Sequence, residues 1–476
     1  MRFHTTRIGS RARNRTLTAM PKLPPQTTLT DTDEALTLLD DLVRMAEARG
    51  ADAADALLVN GVSLSVAQRL GRQEKLERAE GNDLGLRVLL GKKQAIASSN
   101  DWTRDSLDEL VDRAMAMAAA VPDDPYCGLP DAGEFFVGPL IDPEICDDTE
   151  PDVATLTARA KACEDAARAV EGVTNSEGAE ASWSLTEIAL LASNGFAGSY
   201  AVSRHGVGTA VVAGEGAGME RDYEFSSAVF MDDLDDPADV GERAGIRATS
   251  RIGARKVETA KVPVVFDPRV ANSLVGHLAS AVNGTAVARG TSFLKDSMGQ
   301  QIFAEGIGIV DNPHRRRGLR SKPFDGEGMA NPSLNLVENG VLKSWVLDLR
   351  SARQLKLPTT GRAARGTSSP PSPSVTNLFM KSGTPSPADL IKDIRSGFYV
   401  VELIGFGVNM ITGDYSRGAA GFWIENGEVT YPVNEITIAG NLKDMFRNLK
   451  PANDLEFRYG TNAPTIRVEG MTVAGA

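Results

Sequence analysis

Histidine and cysteine are scarce in this chain of 476 residues, which holds four of the first and three of the second. A zinc centre needs three or four imidazole, thiolate or carboxylate ligands at close spacing. His4, His205, His277 and His314 stand far apart, and neither a His-Glu-x-x-His helix nor a Cys-x-x-Cys pair occurs. A self-sufficient zinc site is therefore not expected. The odd, sparse set Cys127, Cys146 and Cys163 excludes a disulfide framework and fits a reducing compartment. Cys163 keeps helical spacing with Leu156, Ala160, Ala167 and Val170, so it reads as a small core residue. No apolar run approaches the length of a membrane span, and the basic N-terminus lacks the apolar segment of a secretory signal. A cytoplasmic protein without membrane contact is expected. Excess positive charge is missing as well. The formal charge is −12, although residues 1–22 carry Arg2, Arg7, Arg11, Arg13, Arg15 and Lys22 with no acid. A body that acidic argues against nucleic-acid binding, which needs a positive surface.

Against these absences stand 42% apolar and 24% charged residues, ordinary for a globular protein long enough for two domains. Residues 1–30 read as a disordered basic extension, with Met20 a plausible true start. Helices are expected from Asp31 to Gly50, from the Ser106/Glu109 capping box to Val121, over Val153–Val170, and over Asp236–Ile252 behind an Asp-Pro start. Between them lie hairpin candidates, one of them Ala56–Val59 and Val62–Val66 around Asn60-Gly61. From Val262 strand-like runs dominate, two pairs joined by Glu-Asn-Gly turns at Glu338–Gly340 and Glu425–Gly427. The expected fold is α+β: an N-terminal α/β domain over 31–255, with helices over antiparallel strands, and a β-rich antiparallel domain over 256–476. Thr359–Ser374, TTGRAARGTSSPPSPS, has little apolar content and is expected to be a mobile loop, idle or lying over a cleft.

The most informative stretch runs from Gly405 to Leu442. It combines dense glycines, strand-like alternation and the polar cluster Thr412, Asp414, Tyr415, Ser416 and Arg417. Ser416 has no evident histidine base and no Gly-x-Ser-x-Gly elbow, so it is a poor nucleophile. GFGVNM at Gly405 lacks the third glycine and helix onset of a pyrophosphate cradle. Asp325 and Glu327, at i and i+2, would share one strand face and are either an acid–base pair or structural acids. His314-Arg315-Arg316-Arg317 reads as a solvated loop or a contact for an acidic partner. His277, alone on an amphipathic helix candidate, reads as packed or surface-exposed rather than a ligand.

Asp124-Pro125-Tyr126 with Gly128-Leu129, Arg255–Thr259, Gly290–Leu294, Phe324–Gly328 and above all Gly405–Leu442 resemble the PmbA/TldE branch of the TldD/TldE peptidase family. The resemblance spans about residue 35 to the end. It implies two domains and a heterodimer with a TldD-like subunit that cleaves unfolded or extended peptides using a metal, with zinc expected. In the TldD-like branch a His-Glu-x-x-x-His helix and a later cysteine hold that metal. Aligned on Gly284, the histidine places of this chain hold Val275 and Ser280, and the glutamate place holds Gly276. His277 is off register and no cysteine follows Cys163. The resemblance thus implies no catalytic residue and no metal in this chain. Asp325, Glu327 and the Thr412–Arg417 cluster are the candidates for the cleft or partner surface. The rival readings are a self-sufficient peptidase and a non-enzymatic peptide-binding or regulatory protein.

Overall fold

The computed structural model describes residues 32–131 and 133–475. The extension over 1–30 and the start at Met20 lie outside them.

Helix α1 (Thr32–Ala48) buries Leu36, Leu39, Leu42, Val43 and Ala46, a stripe at three- and four-residue spacing. Gly50, at φ +96°, ends the segment as a left-handed stop. Strands β1 (Ala53–Arg69), β2 (Arg72–Leu90) and β3 (Lys93–Ser99) follow, then α2 (Arg104–Ala120) and α3 (Val153–Ala169). Next come β4 (Val173–Ala192), β5 (Ala197–Ala213), β6 (Glu220–Ala228) and α4 (Pro237–Ser250), whose N-cap Asp236 accepts the amide of Ala238. The strands form one antiparallel sheet in the order β3-β2-β1-β4-β5-β6. All four helices cover one face. Ala54, Ala56 and Leu58 pack beneath α1 and α2, while Leu64 and Val66, at the same parity along β1, pack with Leu156 and Ala160 of α3. The opposite face packs Leu57 and Leu190 against Phe196 and Phe324 over part of its area and is open elsewhere.

Asn60-Gly61 is not a turn. β1 runs straight through it, because Gly61 pairs with Gly81 on one side and Thr186 on the other. The reversal occurs at Leu70-Gly71, both at positive φ. Buried Glu164 of α3 fixes it by accepting the amides of Leu70 at 2.6 Å and Gly71 at 3.0 Å. The Ser106/Glu109 box does not form either, since α2 starts earlier, with Thr103 at the N-cap.

The second half contains β7 (Ala260–Phe266), α5 (Pro268–Ala281), α6 (Gly284–Ala288), β8 (Ile309–Asp311), β9 (Leu334–Glu338), β10 (Val341–Leu342) and α7 (Leu349–Leu355). After these come β11 (Ala363–Ala364), β12 (Ser372–Pro373), β13 (Leu378–Met380), β14 (Ser396–Ile404), β15 (Asp414–Glu425) and β16 (Glu428–Asn441). β17 (Leu449–Pro451), β18 (Thr461–Asn462) and β19 (Ile466–Ala474) complete the chain. The order β16-β15-β14-β7-β19 closes through an extra β16–β19 pairing, giving a barrel with β17 hung on β19. Both Glu-Asn-Gly turns form as expected, with Asn and Gly at positive φ. Helix α5 lays Val270, Ala271, Leu274 and Leu278 into the barrel core beside Phe266, Phe398 and Ile438. The fold is α+β with mostly antiparallel sheets, as expected.

Thr359–Ser374 is an ordered element rather than a mobile loop. Arg362 is 0% exposed and ion-paired with Asp311 of β8. Its Nη1 donates to the carbonyls of Thr360 and Gly361 at 3.0 and 3.1 Å, and its Nη2 to that of Pro332. Three residues on, Arg365 pairs with buried Asp55 of β1, which also holds Arg87 of β2, and Thr367 bonds Asp83. Burial alone would raise Asp55, but Arg365 and Arg87 outweigh it and hold the carboxyl below its ordinary range. Guanidinium groups thus order a segment that has little apolar content. Arg315 and Arg317 are likewise drawn in, whereas Arg316 stays exposed. Arg315 lies over Phe457 at 3.8 Å, and Arg317 pairs with Glu144 and Asp233 of the N-terminal half.

Replacing Arg362 by Met leaves Asp311 charged, buried and unpaired. This should cost about 3–5 kcal/mol, read as a fall in the denaturant midpoint. Removing exposed Arg44, paired with its helix neighbour Asp40, should cost under about 0.5 kcal/mol.

Candidate functional site

The segment between β14 and β15 folds back on β15. Ser416 donates its amide to the carbonyl of Gly407 at 2.7 Å. A Cβ at Gly407 would sit 1.8 Å from the Ser416 carbonyl oxygen, so only glycine fits there. The fold-back leaves Phe406 98% exposed, with Ile404 and Ile411 also exposed beside it.

Strand alternation divides the expected polar cluster. Asp414 and Ser416 point outward, whereas Tyr415 is buried against His277 of α5, ring centroids 5.9 Å apart. Arg417 shares the inward side. The exposed half is a turn brace: Asp414 accepts from the hydroxyl of Thr412 at 2.6 Å and from Asn441 at 3.0 Å. Those bonds hold its carboxyl below the ordinary range. Asp414 and Arg417 therefore lie on opposite faces and do not pair. Ser416 has no histidine contact among the described residues.

The inward half is unusual. His277 Nε2, the Tyr415 hydroxyl and Arg417 Nε are buried with no hydrogen-bond partner of normal geometry. Burial first, and the Arg417 charge second, push His277 down to about 4, so the ring is neutral at pH 7. Burial pushes Tyr415 up. The same helix tests the fit of a family-type metal. Val275 is fully buried among apolar side chains, Gly276 has no donor atom, and Ser280 bonds back to the Gly276 carbonyl at 3.1 Å. The one imidazole faces a guanidinium, which repels a cation. Among the described residues no three His, Cys, Asp or Glu side chains converge as metal ligands. The donors of α5 do not fit such an ion.

Asp325 and Glu327 are 1% and 5% exposed. Asp325 accepts the amides of Glu327 and Met329 at 2.9 Å each, and that of Ala363 at 2.9 Å; Glu327 accepts the amide of Leu349 at the start of α7. Burial pushes both acids up, and at Glu327 the neighbouring Asp325 adds to the rise. They organise the loop under Arg362 and Arg365, and no bond among the described residues links them to Thr412–Arg417. Cys163 is buried under α4 and its thiol is pushed up to about 12, as suits a core residue.

Unforeseen in the sequence was an open trough of about 600 Å³ on the helix-free face of the N-terminal sheet. Gly206 and Gly208 form a bare floor, flanked by Glu74, Glu180, Tyr223 and Phe225. A smaller cavity of about 310 Å³, lined by Arg315, Arg317, Phe457 and Tyr459, lies next to it. The small-residue alternation Gly206-Val207-Gly208 was its only sequence signal.

Three family models match in series: PmbA/TldA metallopeptidase domain 1 over residues 54–118, the central domain over 146–252 and the C-terminal domain over 259–475. The metalloprotease PmbA of Escherichia coli O157:H7 is 37% identical over 427 residues, covering 89% of this chain and 92% of that protein. A PmbA homolog of Haemophilus influenzae is 35% identical, covering 91% and 94%. In structure the chain is similar to a protein described as a putative modulator of DNA gyrase from Bacteroides thetaiotaomicron, at a TM-score of 0.87 and 25% identity, covering 94% of this chain and 100% of that one. TldE from Thermococcus kodakarensis shares the fold at a TM-score of 0.82 and 22% identity, covering 92% and 100%. The chain belongs to the PmbA/TldE branch of the PmbA/TldD metallopeptidase family.

Because its raised carboxyl binds a proton that the unfolded chain releases, Glu327 supports folding at acid pH, and that support is lost as pH climbs through neutrality. Glu327→Gln should match the parent at about pH 5 and exceed its melting temperature at about pH 9.

Proposed function

We propose that this member of the metallopeptidase family is a TldE-like subunit that works with a TldD-like partner and lends shape and docking rather than the metal. The observation that carries the reading is α5: the histidine places implied by the resemblance hold Val275 and Ser280, the glutamate place holds Gly276, and the nearest imidazole is opposed by Arg417. A Lewis acid that polarises a peptide carbonyl or acidifies water would then come from the partner, with zinc the expected ion.

Two surfaces support the division of labour. Phe406, Ile404 and Ile411 are exposed apolar side chains on one glycine-shaped fold-back, suited to burial against another subunit. The trough on the N-terminal sheet offers a bare glycine floor with carboxylate and aromatic walls, which suits an extended or unfolded peptide. The cluster Thr412, Asp414 and Ser416 borders the apolar patch and belongs to the docking surface in this reading. A reducing compartment, the cytoplasm, fits the three unpaired cysteines, and no helix among the described residues is long and apolar enough to cross a membrane.

Mixing is the test. The purified chain should not hydrolyse an unfolded peptide alone, and hydrolysis should appear on adding a subunit with an intact His-Glu-x-x-x-His helix. Hydrolysis by this chain alone would overturn the reading, and peptide binding without turnover in the mixture would favour a pure binding protein. Phe406→Asp should weaken assembly of the pair roughly tenfold or more while leaving the melting temperature of the isolated chain unchanged.

A further inference from the structure

The smaller cavity beside the trough holds polar groups that the reading above leaves idle. Its volume is about 310 Å³, at the lower end of the roughly 300–1,000 Å³ typical of ligand pockets. In its lining, Arg315 stacks on the Phe457 ring at 3.8 Å, which covers one face of the guanidinium and leaves the in-plane N–H groups for other partners. Those groups make no hydrogen bond or ion pair among the described residues, and none of them is sealed from solvent. Burial alone acts on the charge of Arg315 and disfavours it, with no acid offsetting that cost. The Tyr459 hydroxyl is likewise unbonded and within reach of solvent. The other polar groups of the lining are engaged. Its single acid, Asp233, is held by Arg317, whose Nη1 meets both carboxylate oxygens at 3.0 and 2.9 Å. Arg316 pairs with Glu144, and the amide nitrogens of Asn377 and Asn462 donate to neighbouring protein oxygens. One uncompensated positive charge and a hydroxyl remain.

The cavity adjoins the trough. Ser227 lines both, and the Phe225 ring on the trough side meets the Tyr459 ring on the cavity side at 5.7 Å. Strand register lays out the junction: Ser182, Gly206 and Ser227 form one row across β4, β5 and β6, and Glu180, Gly208 and Phe225 form the next. The two compartments differ in charge. Glu74 and Glu180 of the trough form no ion pair among the described residues, nearby Lys75 being paired with Glu77.

We propose that the cavity at Arg315 and Tyr459 binds a carboxylate of a peptide lying in the trough, either its terminal carboxylate or an acidic side chain. A carboxylate accepts through two oxygens. One takes the charged N–H groups of Arg315 and the other the Tyr459 hydroxyl, the first being the stronger bond. Repulsion from Glu74 and Glu180 keeps that carboxylate out of the trough, so neutral or basic stretches lie over the glycine floor and the acidic group goes to the arginine. The site rests on the trough holding an extended peptide, as read above, and adds the group by which that peptide is anchored.

Calorimetric titration of the full chain provides the test, with three N-acetylated pentapeptides built on alternating glycine and serine. One has a free terminal carboxylate, one is its amide, and one is an amide whose last residue is aspartate. At least one carboxylate peptide should bind roughly tenfold or more tightly than the plain amide, and the tighter of the two names the natural group. Arg315→Met keeps an apolar stem over Phe457 and breaks no hydrogen bond among the described residues, and it should bring that peptide down to the affinity of the amide. Tyr459→Phe should lose less, since a charged hydrogen bond exceeds a neutral one. Equal affinity of all three peptides would overturn the carboxylate site and leave the trough reading in place. Undiminished binding of the carboxylate peptide by Arg315→Met would do the same. Absence of binding by every peptide would overturn both.

Discussion

Arg362 and Arg365, three residues apart on one short hairpin, tie the two halves of the molecule together. The first is locked to Asp311 inside the C-terminal half, and the second reaches Asp55 in the middle of the N-terminal sheet. Ion pairs this deep add little net stability compared with apolar packing, but each is intolerant of losing one member. They act as registration pins. With both engaged, Phe324 docks on the sheet beside Phe196, rings 5.0 Å apart, and Arg317 meets Asp233 across the boundary. The relation between the trough on the sheet and the mouth of the barrel follows from that registration.

Barrel closure does the corresponding work at the other site. Pairing of β16 with both β15 and β19 leaves β15 no freedom to slip, so Tyr415 and Arg417 must face α5 while Asp414 and Ser416 face out. A one-residue shift would exchange the two sets. The same strand therefore serves an outward surface of turn-bracing polar groups and an inward face on which Tyr415 packs against His277. On α5, positions 275, 276 and 280 carry an apolar side chain, none and a hydroxyl.

Much of this was legible in the residues. Helices with clear stripes fell where periodicity placed them, and both Glu-Asn-Gly turns formed because Asn and Gly accept positive φ at little cost. Asn60-Gly61 misled for a physical reason, since a turn dipeptide needs free flanks, and here both edges of β1 are claimed by β2 and β4. Residues 72–83 are too charged to signal a strand, yet they pair along one edge with β1 while their side chains stay in solvent. Thr359–Ser374 lacked the apolar content that orders most loops. Its order comes from arginines whose aspartate partners lie far away in sequence, a relation no local pattern can display. Asp325 and Glu327 were sensed as a pair, but their burial beneath that hairpin is likewise a long-range property.

Whether this polypeptide holds a metal of its own decides the proposed function. Elemental analysis of the purified chain after exposure to excess zinc and gel filtration tests it most directly. The account predicts no stoichiometric zinc retained. One zinc per chain, lost on adding EDTA together with a proteolytic activity of the isolated chain, would contradict it.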